Sequence, residues 1–245
     1  MSGLRVVLQW ATIGIATSII TLVEVYVSAA IVSIEGMTFQ FLPKRGLYWP
    51  DQKTLFIADT HFGKEATFRL QGLAVPRGST AGTLTTIAEM ITECQASRLV
   101  LLGDMFHARS SMSQDVRDAL DAFFEQHPEL RFTLVPGNHD RGLNELPRQW
   151  PIEIVQAGTQ LGRIGITHIP ESPRHGCELV LCGHLHPAYR MQSKTDSVGK
   201  LPCFWLSQRQ LVLPAIGEFT GTHLVKPSGS DRIWLIVEQQ IVELA

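Results

Sequence analysis

The chain has 245 residues, of which 44% are hydrophobic and 18% are charged, so it can bury a substantial core within a single domain. Its formal net charge of −2 excludes a globally basic surface, so any contact with a polyanion must come from local cations or bound metals. The four cysteines form no CxxC pair, which argues against a disulfide scaffold or a thiolate metal site and indicates a cytoplasmic protein.

The first 36 residues are unusually apolar. No charged residue occurs over residues 6–23, and a second apolar stretch covers 25–34. Eighteen uncharged residues reach the lower limit for a membrane-spanning helix, but several polar side chains within the run weaken that signal. We therefore predict an apolar N-terminal extension over residues 1–36, followed by one domain over 37–245. The extension is either a membrane anchor or a segment that precedes a natural start near Met37, and we favour the second interpretation.

Beyond this point the hydrophobic pattern predicts an opening strand over residues 38–42 and helices over about 80–96 and 114–127. The residues predicted to face the core are Leu84, Ile87, Ala88 and Ile91 in the first helix and Val116, Leu120 and Phe123 in the second. Later strands are predicted at about 203–206, 211–213, 233–237 and 241–244. Strands that alternate with helices and then dominate the chain favour two packed sheets flanked by helices.

Five short polar blocks each follow an apolar, β-branched run that predicts a buried strand. The blocks are Asp59-Thr60-His61, Gly103-Asp104, Gly137-Asn138-His139-Asp140, His168 and Gly183-His184-Leu185-His186. Because side chains alternate along an extended strand, Asp59 and His61 should point the same way, and the two histidines of the last block should do so too. The blocks are therefore predicted to converge on one sheet edge and to hold two divalent metals. Mixed carboxylate, imidazole and amide ligands suit Mn, Zn or Fe better than Ca, which prefers oxygen ligands alone.

The order of these blocks resembles that of the calcineurin-like metallophosphoesterases, whose pattern is D-x-H, GD, GNH(D/E), H and GHxH. The resemblance covers about residues 37–235. Finer matches are similar to the bacterial ligase-associated DNA-damage-response endonucleases, also described as PdeM-type phosphodiesterases. Those matches are Ala58-Asp59-Thr60-His61-Phe62-Gly63-Lys64, Gly103-Asp104-Met105-Phe106-His107-Ala108-Arg109, Gly183-His184-Leu185-His186-Pro187 and Leu211-Val212-Leu213-Pro214-Ala215.

The resemblance implies an α/β fold, specifically a four-layer α/β/β/α sandwich, and a dinuclear-metal phosphodiesterase activity. It further implies a DNA endonuclease linked to DNA repair, with DNA ligase and helicase as repair partners. The implied cofactor is a pair of divalent ions, with Mn as the expected metal and Zn or Fe as alternatives. Such a pair lowers the pKa of a bound water and holds phosphoryl oxygens, so no protein nucleophile is needed.

The resemblance also implies a role for each block. One metal would be held by Asp59, His61 and His186, the other by Asn138, His168 and His184, and both by a bridging Asp104. His139 is similar to the family's general acid, oriented by Asp140, and imidazole suits this role because its pKa lies near neutral pH. His107 matches a histidine that positions the scissile phosphate in double-strand-break repair nucleases. Arg109 is a candidate phosphate contact.

Two positions depart from the pattern of the endonuclease branch. Thr60 stands where a leucine is usual, and Ile169 replaces the glutamate of a His-Glu-Pro motif; neither position supplies a metal ligand. Three other functions are compatible with the blocks: a phosphomonoesterase, a phosphoesterase acting on small molecules or lipid precursors, and a non-catalytic scaffold. The Gly-Asp-Met-Phe-His block favours a nuclease, and the seven filled ligand positions argue against a scaffold.

Overall fold

A computed structural model of the protein describes residues 24–27, 29–70, 72–75, 78–140, 146–192 and 197–244. In chain order, the described strands are β1 (Glu24–Val27), β2 (Ala30–Ile34), β3 (Met37–Phe41), β4 (Leu47–Trp49), β5 (Thr54–Ile57), β6 (Arg98–Leu102), β7 (Arg131–Val135), β8 (Ile152–Ile154), β9 (Thr159–Leu161), β10 (Ile164–Ile166), β11 (Leu179–Cys182), β12 (Pro187–Gln192), β13 (Ser197–Ser207), β14 (Gln210–Val212), β15 (His223–Leu224), β16 (Arg232–Val237) and β17 (Gln240–Leu244). The described α-helices are α1 (Lys64–Leu70), α2 (Ser79–Cys94) and α3 (Gln114–Gln126), and short 3-10 helices cover Pro50–Gln52 and Arg109–Ser111.

The described strands form two sheets. The seven-stranded sheet has the order β2-β3-β4-β5-β6-β7-β8, and the strands from β5 to β8 run parallel. The ten-stranded sheet follows the path β1-β17-β16-β13-β14-β11-β10-β9, with β12 paired to β13 and β15 paired to β12. In this sheet β10, β11 and β14 are parallel neighbours. Parallel neighbours end at the same edge, so the residues that follow them lie close together.

Side-chain alternation along the strands creates the layers. In β5, Phe56 faces the hydrophobic cluster between the two sheets, whereas Leu55 and Ile57 face the cluster under the helices. The cluster between the sheets contains large aromatic residues: the Phe41 ring centroid lies 4.7 Å from that of Phe204 and 4.7 Å from that of Trp234. These contacts bury much apolar surface and join the two sheets into one core.

The predicted helices correspond to α2 and α3, and both cover the outer face of the seven-stranded sheet. On the other side, the hydrophobic cluster of the ten-stranded sheet consists of strand and loop residues such as Cys203, Val225 and Leu235. The structure thus confirms the mixed α/β class with two large packed sheets. The described part of the chain supplies no second helical layer of the kind the four-layer expectation requires.

Strand β2 joins the segment before Met37 to the fold. It pairs with β3 through a two-residue turn in which Glu35 and Gly36 have φ of 49° and 71°, the left-handed conformations of a type I′ hairpin. Its inward side chains, Val32 and Ile34 among them, lie in the core between the sheets. The boundary predicted between residues 36 and 37 therefore cuts a hairpin, and we propose that the domain begins before β2.

The apolar run over residues 6–23 lies outside the described residues. Among the helices that are described, none is long and apolar enough to cross a membrane.

The contribution of β2 can be measured with two substitutions in the same strand. Ile34→Ala should lower the free energy of unfolding by about 2–5 kcal/mol, because it removes buried methyl and methylene groups and leaves a cavity. Ile31→Ala should change it by less than about 0.5 kcal/mol, because Ile31 is 66% exposed. Urea unfolding of the two variants measures both values, and equal effects would show that β2 does not pack against the core.

Candidate metal centre

Five strands deliver the polar blocks to one place. From the seven-stranded sheet, β5, β6 and β7 lead to Asp59, Asp104 and Asn138. From the ten-stranded sheet, β10 and β11 lead to His168 and His184. Each set comes from parallel neighbours, which explains why its members emerge together. The prediction of convergence on a single sheet edge was wrong, because the blocks meet between the ends of two sheets.

The backbone at the ligand positions is left-handed rather than extended. Asp59 and His61 have φ of 55° and 44°, Asp104 has 46°, and His184 and His186 have 71° and 48°. Non-glycine residues in this region are uncommon and concentrate at functional sites, where the surrounding structure holds them. The prediction that the D-x-H and H-x-H segments are extended was therefore wrong. Tight turns, and not strand alternation, aim these side chains at a common point.

Asp59, His61 and His186 form the first candidate ligand group, and each offers one atom within 4.8 Å of the others. The Nε2 atoms of His61 and His186 lie 3.4 Å apart, and Asp59 Oδ1 lies 3.5 Å from His186 Nε2. Asp59 Oδ2 accepts a hydrogen bond from the backbone N–H of His184. Its Oδ1 is buried and has no hydrogen-bond partner among the described residues. An unpartnered buried carboxylate oxygen facing two imidazole nitrogens fits a cation site.

Asp104, His168 and His184 form the second ligand group by the same 4.8 Å criterion. His168 Nε2 lies 3.5 Å from Asp104 Oδ2 and 3.1 Å from His184 Nδ1. The other ring nitrogen of His168 donates to the carbonyl oxygen of Leu102, which leaves the lone pair of Nε2 facing the group. Asn138 Oδ1 lies 3.0 Å from the same Nε2 and adds an amide oxygen.

Asp104 connects the two groups. Its Oδ2 lies 3.5 Å from His168 Nε2 in one group and 3.9 Å from His61 Nε2 in the other. Its Oδ1 accepts a hydrogen bond from the backbone N–H of His139, so this carboxylate is also held from the third motif. The position predicted to bridge two metals is thus the position at which the groups meet.

Electrostatics favour the neutral form, which is the form that binds metals, for His61 and His184. Burial, reinforced by His186 and other nearby cationic groups, lowers the pKa of His61 to about 2. Burial, together with His168, also lowers the pKa of His184. For His186, burial lowers the pKa, but the adjacent Asp59 carboxylate and the Gly221 carbonyl outweigh it and the pKa is raised overall. His186 Nδ1 donates to Gly221 O, which leaves Nε2 directed at the first group.

His139 lies at the rim of the centre, with 39% of its side chain exposed. Its Nε2 lies 3.9 Å from Asp104 Oδ2, and its Nδ1 lies 2.7 Å from the carbonyl oxygen of His107, to which it donates. The rings of His107 and His139 stack with centroids 5.3 Å apart. Burial, Lys64 and His139 lower the pKa of His107.

Asp140 does not orient His139 as the sequence predicted. Its Oδ2 accepts hydrogen bonds from the backbone N–H groups of Gly137 and Met105, and its Oδ1 accepts one from Phe106. The carboxylate therefore ties the Gly-Asn-His-Asp loop to the Gly-Asp-Met-Phe loop. We correct its role to that of a positioning residue, because the His107 carbonyl holds the His139 ring.

The two departures from the endonuclease pattern lie beside the ligands without contributing one. Thr60 is buried and its hydroxyl donates to Met105 O, whereas Ile169 is 47% exposed next to His168. Arg109 begins the 3-10 helix Arg109–Ser111, two residues after His107.

Arg45 and Phe219, which were not predicted from the sequence, line a cleft beside His186. They lie in the β3–β4 turn and the β14–β15 loop, where no motif marks them. Only tertiary structure brings them to the site.

The chain is similar to a protein family and to several solved structures. Residues 52–172 match the family model of the calcineurin-like phosphoesterases. The solved structure of Pseudomonas putida nuclease MPE superposes with a TM-score of 0.77 at 28% identity, covering 89% of this chain and 100% of that one. The Aquifex aeolicus protein AQ665, of unknown function, has a TM-score of 0.35 at 23% identity and covers 54% of this chain and 78% of its own. The Escherichia coli phosphoesterase Yfce has a TM-score of 0.35 at 16% identity and covers 76% and 88%. No curated protein sequence matches.

The position of Asp104 predicts the effect of removing its charge. Asp104→Asn should lower the content of both metals after loading with Mn, because each ligand group loses part of its negative charge. Thr60→Val is the matched control: it lies between two ligands in the same segment but offers only a hydroxyl bonded to Met105 O, so metal content should stay unchanged. Elemental analysis of the purified proteins measures both. Retention of two metals by Asp104→Asn would contradict the shared position.

Proposed function

Because the chain carries a calcineurin-like phosphoesterase domain, we propose that it is a dinuclear-metal phosphodiesterase that hydrolyses DNA. The observation that carries the proposal is the pair of ligand groups that meet at the single carboxylate of Asp104. The likeness to a nuclease over 89% of the chain supports a nucleic-acid substrate. Manganese is the proposed metal and DNA repair, alongside a ligase and a helicase, is the proposed context.

The residues present fit two divalent ions. Buried Asp59 Oδ1 lacks a hydrogen-bond partner among the described residues, and the imidazole nitrogens of His61 and His186 face the same space. The first ion would be held by Asp59, His61 and His186, the second by Asn138, His168 and His184, and both by Asp104. When bound, such ions supply Lewis acidity at the phosphoryl oxygens and an activated water for in-line attack.

As a doubly protonated imidazolium, His139 would donate its Nε2 proton to the leaving oxygen and end as the neutral ring with Nδ1–H. The carbonyl oxygen of His107 fixes its Nδ1–H, so Nε2 is the nitrogen that faces the centre. Partial exposure lets Nε2 reach the leaving oxygen of a substrate bound above Asp104. Stacking between the His107 and His139 rings limits rotation of the acid, so the proton is held in one direction.

The charge of the site favours a diester over a monoester. The candidate ligand groups consist of carboxylates, imidazoles and an amide and contain no arginine, although the charge of Lys64 acts on His61 and His107. A monoester carries an extra negative charge, which is best held by arginine side chains close to the metals. A diester lacks this extra negative charge, so it does not require arginine side chains at the metals.

The function is tested with a substrate panel on metal-loaded protein. Bis-nitrophenyl phosphate and DNA should be hydrolysed faster than mononitrophenyl phosphate in the presence of Mn, and chelation should abolish all activity. A preparation that dephosphorylates the monoester at least about tenfold faster than the diester, and leaves single- and double-stranded DNA uncut, would establish a phosphomonoesterase instead.

His139→Gln should slow DNA hydrolysis by about 100- to 10,000-fold, the usual loss on removing a general acid, with both metals retained. The loss should be smaller for bis-nitrophenyl phosphate, whose leaving group needs no proton. His175→Gln is the control, because His175 is exposed and precedes β11 at the end of that strand opposite the site. Equal losses on both substrates, with metal released, would instead identify His139 as a ligand.

A further inference from the structure

A cleft of about 360 Å³ opens beside the first ligand group, with His186 in its wall. The loop between β14 and β15 forms another wall and is bonded to the ligand segments at two points. Gly217 N–H donates to Asp59 O, and His186 Nδ1 donates to Gly221 O. A Cβ at Gly217 would lie 2.3 Å from Thr60 O, so the loop approaches the ligands as closely as a backbone can. The cleft has the size of a small-ligand site and is built onto the metal centre.

Phe219 lies in this cleft with a backbone conformation that is energetically unfavourable for a bulky residue. Its backbone φ is 58°, a region that glycine adopts freely and a bulky side chain rarely does. The side chain is also 44% exposed, so burial does not repay the strain. The Phe68 ring supports it with a centroid separation of 6.4 Å in an edge-on arrangement. An exposed aromatic ring on a strained backbone, placed beside the candidate metal centre, is suited to stacking on a planar ligand.

Arg45 supplies a cation to the same cleft. Its Nη1 donates to Ala215 O at 3.0 Å, which anchors the guanidinium to the cleft wall. Among the described residues no carboxylate lies within ion-pair distance of it; Glu218 in the same cleft acts on it through charge alone, so the remaining donors of the guanidinium can bind a phosphate. Glu218 also lines the cleft, and its carboxylate suits the hydroxyl or amino groups of a nucleoside better than a phosphate.

We propose that this cleft binds the nucleoside next to the scissile phosphate, with its base stacked on Phe219 and its outer phosphate on Arg45. The proposal rests on the phosphodiesterase function and names residues that contact the substrate outside the metal centre. It predicts a preference for nucleotide diesters that the metal centre alone would not produce.

A matched pair of chromogenic diesters isolates the contribution of the base. Methyl nitrophenyl phosphate and the 3′- and 5′-nitrophenyl phosphates of thymidine share a leaving group and differ in the nucleoside. The wild-type protein should hydrolyse at least one thymidine ester with a kcat/KM about 5- to 150-fold above that of the methyl ester, the range expected from stacking. Phe219→Ala should remove this preference and leave the methyl ester rate within about twofold.

Phe219→Gly separates loss of the ring from distortion of the loop, because glycine adopts the left-handed backbone without strain and still lacks the ring. It should lose the preference as fully as Phe219→Ala does. Ile31→Ala removes an exposed apolar side chain from the edge strand β2 and should keep the preference.

Arg45→Gln is tested with the favoured thymidine ester, with and without an added phosphate on its free hydroxyl. Only the phosphorylated ester should lose kcat/KM, by about 10- to 150-fold, as expected for a charge-assisted hydrogen bond. Arg131→Gln is the control, since this exposed arginine begins β7 at the end opposite the site.

A readout independent of turnover is photo-crosslinking of an iodouracil-containing oligonucleotide to chelator-treated protein, which should label a peptide containing Phe219. If the wild-type protein hydrolyses none of the diesters, the phosphodiesterase function fails. If it hydrolyses them but shows no nucleoside preference, or keeps that preference in Phe219→Gly, or if Arg45→Gln hydrolyses the phosphorylated ester as fast as the wild type does, the cleft proposal alone is overturned.

Discussion

The buried carboxylate of Asp104 is the interaction on which the rest of the site depends. It is only 2% exposed, and a buried anion is costly unless hydrogen bonds and cations surround it. The surrounding chain is built to approach it closely: a Cβ at Gly137 would lie 2.1 Å from Asp104 Oδ1, and one at Gly103 would lie 2.0 Å from His168 Nδ1. The glycine of the GNHD motif is therefore a steric requirement of the Asp104 carboxylate, and the glycine of the GD motif is a steric requirement of the His168 imidazole.

The same requirement explains why strained backbone concentrates at this point. Left-handed non-glycine residues cost about 1–3 kcal/mol each and persist only where their surroundings hold them. Here those surroundings are two rigid sheets joined by the aromatic contacts of Phe41, together with hydrogen bonds between motifs, such as His61 N–H to Asp104 O. The core thus stabilises a ligand arrangement that the local chain would not adopt alone.

The loop between β14 and β15 links the proposed nucleoside cleft to the candidate metal centre. It is hydrogen-bonded to the backbone of Asp59 at one end and to the ring of His186 near the other end. A shift of this loop would therefore move ligands of the first group as well as the cleft wall. Arg45, anchored to Ala215 across 170 positions of sequence, stabilises the same loop from the seven-stranded sheet.

The sequence by itself determined the elements and the chemistry. The periodic spacing of apolar residues predicted α2, α3 and the strands that carry the blocks, because this spacing depends only on residues close together in the sequence. The residue types of the five blocks indicated a dinuclear metal site, because ligand chemistry depends on side chains and not on fold.

Only the tertiary structure decided how these parts meet. The origin of the ligands in two sheets, the partners of Asp140, the inclusion of β2 and the cleft of Arg45 and Phe219 all depend on contacts between residues far apart in sequence. Such contacts leave no local pattern in the chain.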